Sequence, residues 1–310
     1  MSQRPLSKRL RRAYYSLMIN STKGHTRLSS RLGALSLLTI ALVFGAASTP
    51  ASAAVPQWLT SSNSTANYVA LGDSFTSGQG APPYLSAPCL QSAYGSYPVI
   101  TASFSSFKLA ANESCSGANN TVVQAQVDAL PMKLTGAKSP IRLVTLTVGG
   151  IDAGSNQVLA ACATNPTSQE CLLAADSALG LLSSGALVPQ LATTYAKVAT
   201  AMPNARVVVL TYPRLFFNPP AGSLGAIVNS ATDALNANIT TAVAYVASHG
   251  YIKVQLVDVT QEFANHGIGA PIPYISYSPN NLSALANFHP NLLGNTFGYF
   301  QALVNNRVLG

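Results

Sequence analysis

Tyr68-Val69-Ala70-Leu71-Gly72-Asp73-Ser74-Phe75-Thr76-Ser77-Gly78 is the stretch on which the fold turns. Four consecutive apolar residues, with no polar alternation, fit a short strand buried on both faces, and Gly-Asp-Ser supplies the turn that ends it. Ser74 therefore stands at the carboxyl end of a strand. Runs rich in Val, Ile and Leu at 141–148, 206–211 and 251–257 have the same character, and 107–111 is a weaker strand candidate. Helical stretches lie at 188–202, with Pro189 suited to a first turn, at 224–248 and at 292–305. Strands alternating with helices predict an α/β fold, a three-layer α/β/α sandwich around a mainly parallel central sheet. In such sheets chemistry collects beyond the carboxyl ends of the strands, where Ser74, Gly149-Gly150 and Tyr212-Pro213 all fall. The segment 77–104, rich in Pro, Tyr and Gly, is expected to be a loop. No internal repeat or second folded domain is visible.

Charge separates the first 54 residues from the rest. Eight of the 17 Lys and Arg precede residue 55, and all nine Asp and Glu follow it, so the remainder is balanced at nine against nine. The net charge of +8 thus belongs to a leader, and a nucleic-acid partner is not expected. The leader combines a basic start, an apolar run from Gly33 to Ala47 and the small residues Ser52-Ala53-Ala54, the pattern of an export signal cleaved near Ala54. The run is short of the ~20 residues that span a bilayer, and Pro50 interrupts any continuing helix; an uncleaved anchor is the alternative. Residues 55–66 read as a linker, and 67–310 as one domain large enough to bury its own core.

All four cysteines lie after the leader. Export favours disulfides, and sequence proximity suggests Cys89 with Cys115 and Cys162 with Cys171, one of three connectivities. None has zinc-site spacing, and neither a metal nor a cofactor is expected.

A serine hydroxyl is a poor nucleophile without a neighbouring base, so the four histidines matter. His25 is in the leader, His249 in a helix-end Ser-His-Gly setting, and His266 in a loop. His289 lies in Asn287-Phe288-His289-Pro290-Asn291. Asp73, beside the serine, suits a turn-holding role better than proton chemistry. Tyr84, Tyr94, Tyr97, Tyr274 and Tyr277 are candidates either for a substrate pocket or for ordinary packing.

Four ordered blocks, Gly72-Asp73-Ser74, Ser114-Cys115-Ser116-Gly117-Ala118, Gly149-Gly150-Ile151-Asp152 and His289-Pro290-Asn291, resemble the GDSL, or SGNH, hydrolase family, especially its secreted bacterial esterase and lipase-like branch. Secondary similarities are Cys89 with Ser92 and Tyr97-Pro98, Tyr212 to Phe216, and Phe263 to His266. The resemblance implies the family's flavodoxin-like fold and a carboxylic ester hydrolase with Ser74 as nucleophile and His289 as general base and acid. Gly117 and Ser74 would give backbone N–H groups to the oxyanion hole.

Two departures qualify it. The third block normally reads Gly-Gly-Asn-Asp, and its Asn donates to the oxyanion; Ile151 has nothing to donate, and Asn119 or Asn156 is a candidate substitute. Asp152 reads as a structural turn residue. Many relatives carry an acid three residues before the histidine, where this chain has Ala286. A secreted branch of the family uses a main-chain carbonyl near that point instead, and the resemblance implies that one within 285–287 orients His289, with Asp258 and Glu262 as remote alternatives.

The expected substrate is a small-molecule or polymer-linked ester: lipid, short-chain acyl or acetylated carbohydrate. The protein is expected outside the bacterial cytoplasm, as a monomer, meeting membrane only through its export segment. The competing expectation is a catalytically impaired binding protein for a glycan or lipid, motivated by Ile151.

Overall fold

The computed structural model describes residues 66–85, 87–134, 140–162, 165 and 167–310. The expected export segment, residues 1–54, and all of the expected linker except Ala66 lie outside the described residues. Ala66 opens the first strand rather than closing a linker.

Five strands form one sheet: β1 (Ala66–Gly72), β2 (Phe107–Asn112), β3 (Ile141–Thr147), β4 (Arg206–Leu210) and β5 (Val254–Val257). Their order is β2-β1-β3-β4-β5, and every pairing is parallel. The order reverses between β1 and β3, and that switch point is where a doubly wound sheet opens a crevice at its carboxyl ends. Ser74 and Gly149-Gly150 follow these two strands.

Alternation along each strand divides the core into two layers. Val69, Leu71, Val144, Leu146, Val207 and Val209 face one side. They pack with α3 (Asn120–Lys133), α6 (Val188–Ala201) and α7 (Leu224–Ser248), through residues such as Val127, Leu191 and Ile239. Tyr68, Ala70, Leu143, Val208 and Leu210 face the other side, against Tyr97 of α2 (Tyr97–Phe104) and Tyr299 and Leu303 of the C-terminal helical segment. Both faces being covered is why these strands read as continuous apolar runs. The remaining helices are α1 (Ser74–Ser77), α4 (Ser155–Cys162), α5 (Gln169–Ser183) and, closing the fold, α8 (Gln301–Asn305).

Three expectations need correction. The segment 77–104 is not all loop, since 97–104 is α2. Its Val99-Ile100-Thr101 run has low helix propensity, but Pro98 sits in the first turn, the Asn295 side chain accepts the Tyr97 N–H at 2.9 Å, and Tyr97 stacks on Tyr299 at 5.2 Å. The last strand starts at Val254, not at residue 251; the Val254 N–H turns back to the Tyr251 carbonyl at 2.9 Å, and Ile252 is 82% exposed. The helix at 292–305 is present, but Gly294–Phe300 is wound as a π-helix, with the Asn295 amide reaching back to the carbonyls of Pro290 and Asn291.

Candidate active site

Ser74 opens α1 directly after β1. Asp73 caps that short helix, accepting the Phe75 N–H at 3.0 Å. Its carboxylate also takes the Thr147 hydroxyl of β3 at 2.7 Å and the Tyr212 hydroxyl that follows β4. Asp73 is therefore more than a local turn residue, because it ties the serine turn to β3 and to the segment that follows β4. Burial raises its carboxyl to about 6 against the lowering effect of those three donors, with Asp152 adding a smaller rise. Thr76 and Thr147 share a 2.8 Å hydrogen bond beneath the turn.

His289 Nε2 lies 2.8 Å from Ser74 Oγ, across 215 residues of sequence. Its Nδ1 lies 2.7 Å from the Asn287 carbonyl. A carbonyl only accepts, so Nδ1 carries the proton and Nε2 is left to accept from Ser74. The main-chain acceptor expected within 285–287 is thus Asn287 O. The loop is braced around the ring. Ser276 accepts the Phe288 N–H at 2.8 Å and donates its own N–H to the His289 carbonyl at 2.8 Å, while Phe288 adopts φ 63°. Gly80 passes so close that a Cβ there would stand 2.2 Å from the Pro290 carbonyl oxygen, so only glycine fits.

Burial lowers His289 from about 6.5 to about 4, although its bond to the Asn287 carbonyl acts in the opposite direction. The neutral ring is the form able to take the Ser74 proton. The acid limb of kcat/KM is accordingly expected near pH 4, not near 6.5, in initial-rate measurements on a soluble ester. A midpoint near 6.5 would show that the free enzyme's ring is solvated. For stability, the unfolded chain binds more protons than the folded one between about pH 4 and 6.5, so the His289 contribution is present above that window and lost as pH falls through it. Asp73 has the opposite sign: its contribution is present below its ordinary value and lost as pH rises through about 6.

Gly117 lies in a loop fixed by a disulfide and by a hydrogen bond to the end of β1. Cys115 is joined to Cys89, and its N–H donates to the Gly72 carbonyl at 2.9 Å. Gly117 has φ 77°, and a Cβ there would meet nothing within 4 Å, so conformation rather than space favours glycine. Among the described residues, no acceptor in the chain takes the Gly117 or Ser74 N–H. The second disulfide joins Cys162 to Cys171, far in sequence from the serine.

The turn after β3 is held by its backbone: Ala153 N–H to Gly149 O at 2.8 Å, and Gly154 N–H to Ile151 O at 3.0 Å. Asp152 accepts the Asn120 N–H at 3.0 Å, fastening this turn to the start of α3, which is a structural role. Asn119 caps α3 through its side-chain oxygen, on the Val122 N–H at 3.0 Å. Asn156 is exposed on α4. Neither is hydrogen-bonded to the Ser74 turn.

Gln79 is a member of the site that sequence reasoning missed. Its amide donates to the Leu285 carbonyl at 2.7 Å and accepts the Ser116 hydroxyl at 2.6 Å, so one side chain spans the histidine loop and the Gly117 loop. Nothing in its local sequence marks it. Gln79→Ala is expected to lower kcat about tenfold by loosening both loops, with little change in the thermal unfolding midpoint. An unchanged kcat would show that the bridge does not restrain the site.

Other candidates are placed elsewhere. Asp258 accepts the Thr211 hydroxyl at 3.0 Å and Glu262 accepts the Asn305 amide at 2.9 Å, so neither remote acid orients His289. His249 ends α7, bonded to the Tyr245 carbonyl at 2.8 Å, and His266 bonds the Ile272 carbonyl and stacks on Tyr274 at 3.8 Å. Tyr97 is buried core, Tyr84 donates to the Gln79 carbonyl, Tyr94 is exposed, and Tyr277 packs on Phe288 at 5.5 Å.

The model of the GDSL-like lipase/acylhydrolase family matches residues 70–297. The chain belongs to that family. A lipase of Streptomyces rimosus is 32% identical over 287 residues, covering 89% of this chain and 98% of that relative. Two solved structures resemble the fold: an extracellular lipase from Streptomyces rimosus (TM-score 0.62, 29% identity, 77% of this chain and 99% of that one) and phospholipase A1 from Streptomyces albidoflavus NA297 (TM-score 0.63, 30% identity, 78% and 99%). This GDSL-family chain is a carboxylic ester hydrolase, and its parallel sandwich is the family's fold.

Proposed function

We propose that the protein is an exported serine esterase of lipase type that works through an acyl-enzyme on Ser74. His289 Nε2 takes the serine proton as Oγ attacks the ester carbonyl, and the oxyanion that forms is met by the N–H groups of Ser74 and Gly117. Collapse breaks the bond to the alcohol, which leaves with the proton from His289. Water then enters, gives a proton to the same nitrogen and attacks the acyl group; the second collapse releases the acid and returns the proton to Ser74. The observation that carries this reading is the 2.8 Å contact between Ser74 Oγ and His289 Nε2.

Lipid esters are the favoured substrate class, because relatives at about 30% identity include a lipase and a phospholipase A1. Export is supported by the leader, by the two disulfides and by the extracellular description of the Streptomyces rimosus lipase. Ile151 is the one residue that argues for a non-catalytic binder, and it removes a single donor from a site that keeps nucleophile and base.

A fluorophosphonate probe tests the nucleophile directly. The expected result is stoichiometric labelling that abolishes ester hydrolysis, with the modified peptide mapping to Ser74. Active protein that resists the probe, or carries the label on another serine, would remove Ser74 from the mechanism.

A further inference from the structure

The charges of the domain are sorted by the direction of its strands. Lys108 and Arg142 are the second residues of β2 and β3, Arg206 is the first of β4, and Lys253 immediately precedes β5. Asp73, Glu113 and Asp258 immediately follow the carboxyl ends of β1, β2 and β5. Three of the described cations are committed to ion pairs: Lys133 with Glu113, Lys197 with Asp128, and Arg214 with Asp233. The other five described Lys and Arg residues are Lys108, Arg142, Arg206, Lys253 and Arg307, all exposed. Arg307 joins the same edge, since its carbonyl accepts from the Arg206 guanidinium at 3.2 Å. A groove at this edge is lined by Phe107, Arg142, Arg206, Ile252 and Lys253, with no carboxylate in its wall.

We propose that this amino-terminal edge of the sheet is a docking surface for an anionic membrane. The row runs from β2 to β5, about 19 Å at the usual strand spacing, which is too broad for one phosphate and suits an array of headgroups. Exposed apolar side chains flank the cations, Ile252 at 82% and Phe104, three residues before β2, at 48%. Cations mixed with apolar side chains suit the lipid interface, where both find partners, better than a purely polyanionic groove. Docking in this sense leaves Ser74, at the opposite ends of the strands, facing away from that membrane.

The test is partitioning of the purified chain, in the form the expressing cell releases, onto phosphatidylglycerol or phosphatidylcholine vesicles at low salt. Lys108 and Arg142 make no side-chain hydrogen bond among the described residues, so Lys108→Gln with Arg142→Gln should leave the fold and the hydrolysis of a soluble ester unchanged. Each cation near an anionic surface is worth about fivefold in partitioning, so the double variant is expected to bind phosphatidylglycerol about 25-fold more weakly. Ile252→Ser should weaken vesicle binding and leave binding to duplex DNA unaltered. Equal partitioning onto the two lipids would overturn the proposal. So would a double variant that binds phosphatidylglycerol like its parent, which would assign binding to another part of the chain. Duplex DNA bound as tightly as the vesicles, with no effect of Ile252→Ser on either, would make the edge a generic polyanion site.

Discussion

Ser74→Ala is expected to lower kcat by about 10⁴- to 10⁶-fold on any carboxylic ester the protein hydrolyses. The change removes one oxygen from a buried side chain whose turn is held by Asp73, so the folded structure should persist. His289→Ala should cost nearly as much, because the hydroxyl without its 2.8 Å acceptor is an alcohol of ordinary reactivity. The double variant should be scarcely worse than either single one, since groups that act on one proton are lost together. The measurement is kcat for each variant on a p-nitrophenyl ester, with circular dichroism to establish folding. Additive losses, or more than a tenth of the activity surviving in Ser74→Ala, would place the nucleophile elsewhere.

The size of that loss depends on how His289 is held. A buried carboxylate beside Nδ1 would favour imidazolium as the proton arrives; the Asn287 carbonyl fixes the tautomer but brings only a dipole. Burial therefore dominates and holds the ring near 4, where it is a weaker base than one near neutrality. The arrangement trades driving force for geometry: a ring of the correct tautomer, fixed by the Phe288–Ser276 and Ser276–His289 backbone bonds, at hydrogen-bond distance from the serine.

What could be read in the sequence follows the range of the interactions. The β1 run and its Gly-Asp-Ser turn are local, and so are the apolar runs of β3 and β4; the fold class followed from their alternation with helices. Pairing of Ser74 with His289 was expected only through resemblance, because no local rule reaches across 215 residues. Helix α2 was hidden because its support comes from Asn295 and Tyr299, about 200 residues away, rather than from its own β-branched residues. Gln79 belongs to the site through two long-range hydrogen bonds, and the tie of Tyr212 to Asp73 is equally non-local; a glutamine carries no periodicity that would announce its role, and the strand-end position of Tyr212 does not name its partner.

Ile151→Asn is expected to raise kcat by up to about 10²-fold, the value of one restored oxyanion donor. The turn that would carry the new amide follows β3, the strand paired with the one that ends before Ser74. Gly149, Ile151, Ala153 and Gly154 close their turn through main-chain bonds, and Asp152 fastens it to α3, so none of the hydrogen bonds that close the turn involves the isoleucine side chain. An added donor that bonds the oxyanion more strongly than the ground-state carbonyl lowers the barrier without tightening substrate binding, so the gain should appear in kcat and leave KM nearly unchanged. A lower KM at constant kcat would mean that the amide binds ester and transition state alike. No change in either, in a folded variant, would mean that the hole is already filled by another donor, and Asn119 is then the residue to replace next. Its side-chain oxygen is committed to the α3 cap, while its amide nitrogen holds no hydrogen bond among the described residues.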